Sequence, residues 1–412
     1  MLSRLRGEIV EERRDSSLRS ELRKAGCHNR SMQFLLSAGE ASGDTYGAQL
    51  AEALGLLAPG SRFFGMGGEK MHAAGCELLV HANEVAVVGL VEVLTHLPGI
   101  RQRFKHLVAE AARRKPDAAV LIDFPDFNLR LARELHRLGI PVFYFVSPQI
   151  WAWRTGRIQQ IKKYVRKMIV IFPFEQEFYR QHGVEVSYVG HPLAYVPPPQ
   201  ITREEFAAQH GLDPQKQWIA LLPGSRRKEV RLNLPAMLQA AELLQQQGDY
   251  EFILSVASTL NAEWLKEQIA QAQGGRSSTI HLTDNARATL MHARASVVAS
   301  GTATVEAALS GTPFVVVYRL APLTWLLGRR LVKLDTFAMA NLIAGEKVVP
   351  ELIQKDFTAS NVVRELQKLL PNGPDRQKMQ AALKMVQQRL HDSQNADPPA
   401  LRAAHEVLAS LR

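Results

Sequence analysis

The sequence predicts an α/β fold of two doubly wound, Rossmann-like domains facing each other across a cleft. Three observations carry this. From Met32 onward, short apolar runs rich in Val, Ile and Phe alternate with helical stretches, the pattern of parallel strands covered on both faces. A proline-rich joint, His191-Pro192 through Pro197-Pro198-Pro199, interrupts the alternation, and such a stretch continues neither a helix nor a central strand. The alternation then restarts at Trp218. With 412 residues, 46% hydrophobic and 22% charged, the chain can bury two or three cores at roughly 150 residues per domain.

Residues 1–31 stand apart. They hold eight Arg or Lys and five Asp or Glu with no apolar run, which predicts a disordered arm or an upstream start rather than a secretory signal. The first domain, 32–190, is expected to contain strands at Gln33–Ser37, Arg62–Gly65, Ala118–Asp123, Pro141–Ser147, Lys167–Phe172 and Val186–Gly190. Helices are expected at Tyr46–Leu57, Ile100–Lys115, Asn128–Leu138 and Arg157–Tyr164. A linker, 191–216, leads to the second domain, 217–355. Its strands are expected at Trp218–Leu222, Glu251–Val256, Thr279–Leu282, Ala295–Ala299 and Pro313–Tyr318. The tail, 356–412, reads as helices that can cross back onto the first domain.

Charge and cysteine count narrow the function classes. A net charge of +10 and a pI near 9.6 suit nucleotides, phosphorylated lipids, nucleic acid or an anionic membrane surface without choosing among them. Two cysteines, Cys27 and Cys76, lack the number and spacing for a disulfide scaffold or a cysteine zinc site. No apolar run approaches the ~18 residues of a membrane-spanning helix, so a soluble, cytoplasmic protein is expected.

Four loops carry the chemistry, each after a strand, where ligands bind in this architecture. In Ser37-Ala38-Gly39-Glu40-Ala41-Ser42-Gly43-Asp44 the glycines admit a ligand to the backbone, and Ser42 or Asp44 can cap the next helix. This loop departs from the G-x-G-x-x-G dinucleotide fingerprint, and Glu40 suits sugar hydroxyls better than phosphate. In Ile122-Asp123-Phe124-Pro125-Asp126-Phe127-Asn128, Asp123 is the general-base candidate, because semi-burial beside aromatic rings strengthens a carboxylate as proton acceptor. Asp126 or Asn128 is expected to cap the following helix. Leu222-Pro223-Gly224-Ser225-Arg226-Arg227-Lys228-Glu229-Val230 puts free N–H groups of a helix start beside cationic side chains, a diphosphate site. Ser300-Gly301-Thr302-Ala303-Thr304-Val305-Glu306 adds a glycine loop for phosphate and a carboxylate able to accept from two ribose hydroxyls. His191, a lone histidine at the joint, is a rival base, a leaving-group contact or a structural residue.

With these motifs in hand, the chain from Met32 resembles the lipid-A-disaccharide synthase family of two-domain (GT-B type) glycosyltransferases. The resemblance rests on Ala38–Asp44, Val88–Leu94, Asp123–Asn128, Val146–Arg154, Val189–Pro192, Leu221–Arg226, Ser300–Glu306 and Asn341–Gly345. Phe124 stands where a small residue is common in the family, and the arm has no counterpart. The resemblance implies inverting transfer of 2,3-diacylglucosamine from UDP-2,3-diacylglucosamine to the 6′-hydroxyl of 2,3-diacylglucosamine 1-phosphate (lipid X). It implies Asp123 as the base, Arg226, Glu306 and Asn341 in the UDP site, a homodimer, and peripheral attachment to the cytoplasmic face of the inner membrane.

The candidate sites are then Asp123 and His191 for catalysis, and Gly224, Ser225, Arg226, Ser300, Gly301, Thr302, Glu306 and Asn341 for UDP. Glu40, Ser42, Asp126, Asn128, Trp153 and Arg154 are the candidate acceptor or sugar contacts. Neither cofactor, metal nor nucleic acid is expected, since no Asp-x-Asp motif sits in the donor half. Two stretches, Val87–Leu97 and Leu320–Leu334, set apolar residues beside cations; they suit acyl chains and an anionic bilayer, or are ordinary core. A UDP-sugar 2-epimerase on the same plan and a non-enzymatic binding module are the alternatives, and the module gives Asp123 no task.

Overall fold

The computed structural model describes residues 31–85, 90–151, 155–274, 279–320, 336–391 and 396–411. The first lobe is built on strands β1 (Gln33–Ala38), β2 (Arg62–Gly67), β3 (Cys76–His81), β4 (Ala118–Ile122), β5 (Val142–Phe145), β6 (Lys167–Val170) and β7 (Val186–Tyr188). They form one seven-stranded sheet, ordered β3-β2-β1-β4-β5-β6-β7, with every pair parallel. Parallel strands need crossovers. Here these include helices α1 (Ala41–Leu57), α2 (Glu69–Ala73), α3 (Leu90–Arg114), α4 (Pro125–Arg137), α5 (Ile158–Tyr164) and α6 (Pro173–Gln181).

In β4 all five residues are buried. Ala119 and Leu121 join the core on one face of the sheet, with Leu131 and Leu135 of α4. Ala118, Val120 and Ile122 join the other, with Leu50 and Leu54 of α1. The two-residue period of a strand, buried on both sides, is why this segment reads as a continuous apolar run.

After a helix α7 (Arg203–His210) the second lobe begins with β8 (Gln217–Leu222), α8 (Arg227–Gln245), β9 (Tyr250–Ser255), α9 (Ala262–Gln273), β10 (Ile280–Thr283) and α10 (Ala286–His292). It continues with β11 (Ala295–Ala299), α11 (Ala303–Ser310), β12 (Phe314–Tyr318), α12 (Met339–Ala344) and β13 (Glu351–Ile353). Its six-stranded sheet is ordered β10-β9-β8-β11-β12-β13, again with parallel pairs. Helices α13 (Ala359–Leu369), α14 (Pro374–Leu390) and α15 (Pro399–Ala409) complete the chain.

In each sheet the winding direction reverses beside the first strand, between β1 and β4 and between β8 and β11. Loops leaving adjacent strands in opposite directions open a crevice at such a point. All four chemistry-bearing loops leave these four strands.

The tail returns to the first lobe. Ala400, Ala403, Ala404 and Val407 of α15 lie in the same core as Phe34, Leu36 and α1, and Lys167 pairs with Glu406 at 2.6 Å. At the crossing the chain is pinned to the joint. Tyr188 Oη donates to the Arg389 carbonyl at 2.6 Å, Tyr195 Oη to the His391 carbonyl at 2.6 Å and the His191 N–H to the Leu390 carbonyl at 3.0 Å. The Tyr195 and His391 rings stack at 4.4 Å.

Edge strands β3 and β13 go beyond the sequence expectation. One is Cys-Glu-Leu-Leu-Val-His and the other three residues long, so neither presents an apolar run. The expected caps also differ. Helix α1 has Glu40 at its N-cap with no side-chain bond, and Asp44 instead accepts from the N–H groups of Gly68, Lys70 and Met71 at 2.7–3.1 Å. It caps α2, a neighbour in space. Helix α4 has Phe124 at its N-cap with no side-chain bond, so neither Asp126 nor Asn128 caps it.

Ala403 is fully buried, and a carboxylate there has no partner, a class of change that costs several kcal/mol. Ala403→Asp is expected to lower the thermal midpoint and release α15 first, seen as early amide exchange in α15 and α1 ahead of the second lobe.

Candidate active site

Asp123 follows β4 at the first crevice. It and Phe124 both hold left-handed backbone conformations, φ 46° and 49°, which cost a non-glycine residue about 1–2 kcal/mol each. The neighbours over-determine this turn. Asn128, fully buried, donates its amide to the carbonyls of Asp123 at 2.8 Å and of Ser37 and Ile122 at 3.2 Å. Its Oδ1 accepts from Ser37 Oγ at 2.7 Å. Tyr144 Oη donates to the Asp123 carbonyl at 2.6 Å, and the Phe124 ring lies so close over Gly39 that a Cβ there would collide with it.

Burial pushes the Asp123 carboxyl up to about 6, the exposed Glu40 carboxylate pushes it the same way, and a backbone N–H bond at Phe124 opposes them. It is a carboxylate near neutrality with unusual basicity.

Asn128, expected as a sugar contact, instead spends its amide on clamping the turn that carries Asp123. Asp126 is exposed at the first turn of α4 and pairs with Arg157. His191 is buried, and burial lowers its imidazole to about 3. Its Nδ1 accepts from the Leu193 N–H at 3.2 Å, which leaves Nε2 carrying the proton of a neutral ring. With Nδ1 engaged, the ring presents an N–H donor rather than a proton acceptor.

At the second crevice, Gly224 to Arg226 leave β8 and Ser300 to Thr302 leave β11, which pair directly, Leu222 against Val298. Helix α11 starts with no side-chain cap beside an exposed Gly301-Thr302; the N–H groups of Thr304 and Val305 bond back to the carbonyls of Gly301 and Thr302 at 3.1 and 2.9 Å. Helix α8 differs: Glu229 Oε2 accepts from the N–H groups of Ser225 at 3.1 Å and Arg226 at 3.3 Å, so the donors expected to be free are engaged. Glu306 is half-buried; burial raises its carboxyl and the Arg287 charge opposes the rise.

Asn341 is buried, and its amide is consumed by the Val349 carbonyl, Glu351 and the N–H groups of Val348 and Val349 at 2.7–3.0 Å. It builds the loop rather than touching nucleotide. Glu351 also holds the N–H groups of Phe337 and Ala338, and Ser300 Oγ donates to the Phe337 carbonyl at 3.0 Å. The Ser300 hydroxyl is thus structural too.

Tyr46 of α1 lies within electrostatic reach of both crevices. Burial pushes its phenol up to about 12, and the charges of Glu306 and Asp123, from opposite lobes, add to the shift. Tyr46, Glu175, Arg287 and Glu351 were not legible as site residues, since no motif surrounds them. Glu175 is buried at the start of α6 and accepts from Trp151 Nε1 at 3.1 Å and the Phe172 N–H at 3.2 Å. Trp151, Phe172 and Phe174 pack against the second lobe's core. Residues 1–30, Trp153 and Arg154, the side chains of Val87–Leu97, and the Leu320–Leu334 stretch beyond Leu320 lie outside the described residues. Among the described residues no cluster of His, Cys, Asp or Glu has metal-site geometry, and no helix is long and apolar enough to cross a membrane.

The sequence model of the family described as "Lipid-A-disaccharide synthetase" matches residues 34–404. The chain belongs to that family. A lipid-A-disaccharide synthase of Koribacter versatilis is 54% identical over 92% of this chain and 98% of its own length, and one of Geobacter sulfurreducens is 42% identical over 88% and 94%. Solved structures similar in fold include the calicheamicin glycosyltransferase CalG4, with a TM-score of 0.57 and 17% identity over 93% of this chain and 98% of that one. Another is a Neisseria meningitidis UDP-GlcNAc 2-epimerase bound to UDP-GlcNAc, with 0.59 and 10% over 92% and 100%. Family membership makes this chain a glycosyltransferase of lipid A biosynthesis, on the GT-B fold.

Burial pushes the Glu175 carboxyl up from the usual 4.5 to about 8, against bonds from Trp151, Phe172 and Ser147. A raised carboxyl favours the protonated form in the folded state. Its stabilisation is full below about pH 4.5 and fades as pH rises through about 8. Glu175→Gln is expected to flatten the fall in thermal midpoint between pH 5 and pH 8 that the native chain displays, in melts at matched ionic strength.

Proposed function

We propose that the chain transfers 2,3-diacylglucosamine from UDP-2,3-diacylglucosamine to the 6′-hydroxyl of lipid X, with inversion at the anomeric carbon. Asp123 takes the 6′-hydroxyl proton as that oxygen bonds to the anomeric carbon and the bond to the β-phosphate oxygen breaks. One carboxylate suffices for a single inverting displacement. The charge developing on UDP falls on Arg226 and on the N–H groups of Gly301-Thr302 and the Gly224–Arg226 loop, electrostatic stabilisation of the leaving group. Glu306 accepts from the ribose hydroxyls, and Glu40 and Ser42 face the acceptor sugar.

What supports the reading is the family match over residues 34–404 together with a desolvated carboxylate, Asp123, on a left-handed turn after β4. The relatives at 40–54% identity bear the synthase name, whereas likeness to the epimerases is of fold alone.

Exposed Arg101 and Lys105 on α3, beside the Val87–Leu97 stretch, support peripheral attachment to an anionic bilayer. Sedimentation with anionic vesicles, lost in high salt and with Arg101→Glu/Lys105→Glu, is the expected behaviour.

Turnover of the two substrates tests the chemistry. Asp123→Asn is expected to lower kcat by roughly 10²–10⁴-fold with the donor KM little changed; near-normal kcat would remove Asp123 as base. The acid limb of kcat/KM should fall near pH 6, the level to which burial and Glu40 raise Asp123. Glu40→Gln, which deletes the like charge, should move that limb to lower pH.

A further inference from the structure

The loop between β8 and α8 carries an anion of its own. Glu229 Oε2 accepts from the N–H groups of Ser225 at 3.1 Å and Arg226 at 3.3 Å, and Oε1 lies 3.5 Å from Arg226 Nη1. Gly224, at φ 123°, runs so close to this carboxylate that a Cβ would stand 2.7 Å from Oε2. Thr259 Oγ1, from beyond β9, donates to the Ser225 carbonyl at 2.6 Å and pins the loop from its other side. A glutamate in the first turn that reaches back to the N-cap amide is common helix-start chemistry. Here the capped groups are the backbone donors and the guanidinium that the nucleotide-sugar reading assigns to the diphosphate. The start of α11, on the adjacent strand, has no such cap.

Two anions cannot use one set of donors. A carboxylate left beside a diphosphate also repels it. We infer that Glu229 is a displaceable internal anion, which competes with the donor's diphosphate for the Ser225 and Arg226 amides and the Arg226 side chain, and so sets the affinity for UDP. The inference rests on the reading that this loop holds the diphosphate. When UDP arrives, Glu229 gives up those bonds and turns out of the loop, and when UDP leaves it returns, so the donors exchange one anion for another. A residue of this kind weakens retention of the product UDP while keeping the loop shaped for the next donor.

Calorimetric titration of the full chain with UDP and with uridine, with thermal midpoints as a fold control, decides between competition and simple support. Glu229→Gln keeps the size of the side chain and a carbonyl acceptor but removes the charge. It should tighten UDP binding by about tenfold, a change of about 1.4 kcal/mol, and leave uridine binding unchanged. Glu229→Ala should tighten UDP binding at least as much while lowering the thermal midpoint through loss of the cap. If Glu229→Gln leaves UDP affinity unchanged or weakens it, or tightens UDP and uridine alike, Glu229 supports the loop and the competition is overturned. Arg226→Gln separates the two levels. It should weaken UDP at least tenfold and spare uridine, and if it does not, the diphosphate assignment of the loop itself fails, whatever Glu229 does.

Discussion

Asn128 holds the turn that presents Asp123 at the first crevice. Two consecutive left-handed residues, Asp123 and Phe124, are unfavourable for an ordinary chain, and they persist because one buried amide binds three carbonyls around them. Tyr144 from the next strand and Ser37 from the strand on the other side complete the clamp. A carboxylate on a loose loop would relax toward water and recover its ordinary acidity. Held on this turn, it stays desolvated, and desolvation is the first cause of its raised basicity.

The two lobes solve opposite electrostatic problems with one architecture. In the first, the crevice gathers carboxylates: Asp123, raised by burial and by the charge of Glu40, and, deeper, Glu175, raised by burial and by the charge of Asp123. In the second, it gathers donors: the uncapped start of α11, the Gly224–Arg226 loop and Arg226 itself. An acid that receives a proton needs the former, and a departing anion the latter. The hydrogen-bonded crossing of the joint with the end of α14, at Tyr188, His191 and Tyr195, keeps both on one body.

Much of this was legible in one dimension. Buried parallel strands announce themselves as apolar runs, and glycine loops after strands mark where ligands approach, so both lobes and all four loops could be read directly. Short edge strands could not, because β3 sets only Leu78-Leu79-Val80 between polar residues and β13 has only three positions. Roles of individual polar side chains were the least readable. Asn128 and Asn341 sit in motifs that look ligand-facing, yet each spends its amide on backbone. Asp44 caps a helix that is not its own. A sequence lists donors and acceptors but not which of them are already paired.

What the chain's residues determined alone was the periodicity: which segments are strands, where each lobe begins, and which loops carry carboxylates or cations. Those follow from local chemistry, since burial pattern, glycine and charge act within a few residues. Tertiary structure alone decided which groups remain available to a substrate. Whether Asp123 is desolvated depends on groups distant in the chain, Glu40, Ser37 and Tyr144 among them. Whether the His191 lone pair and the Ser225 amide are engaged depends on how the turns at Leu193 and Glu229 close. Such pairings are fixed by position in space, and the sequence lists the candidates without choosing among them.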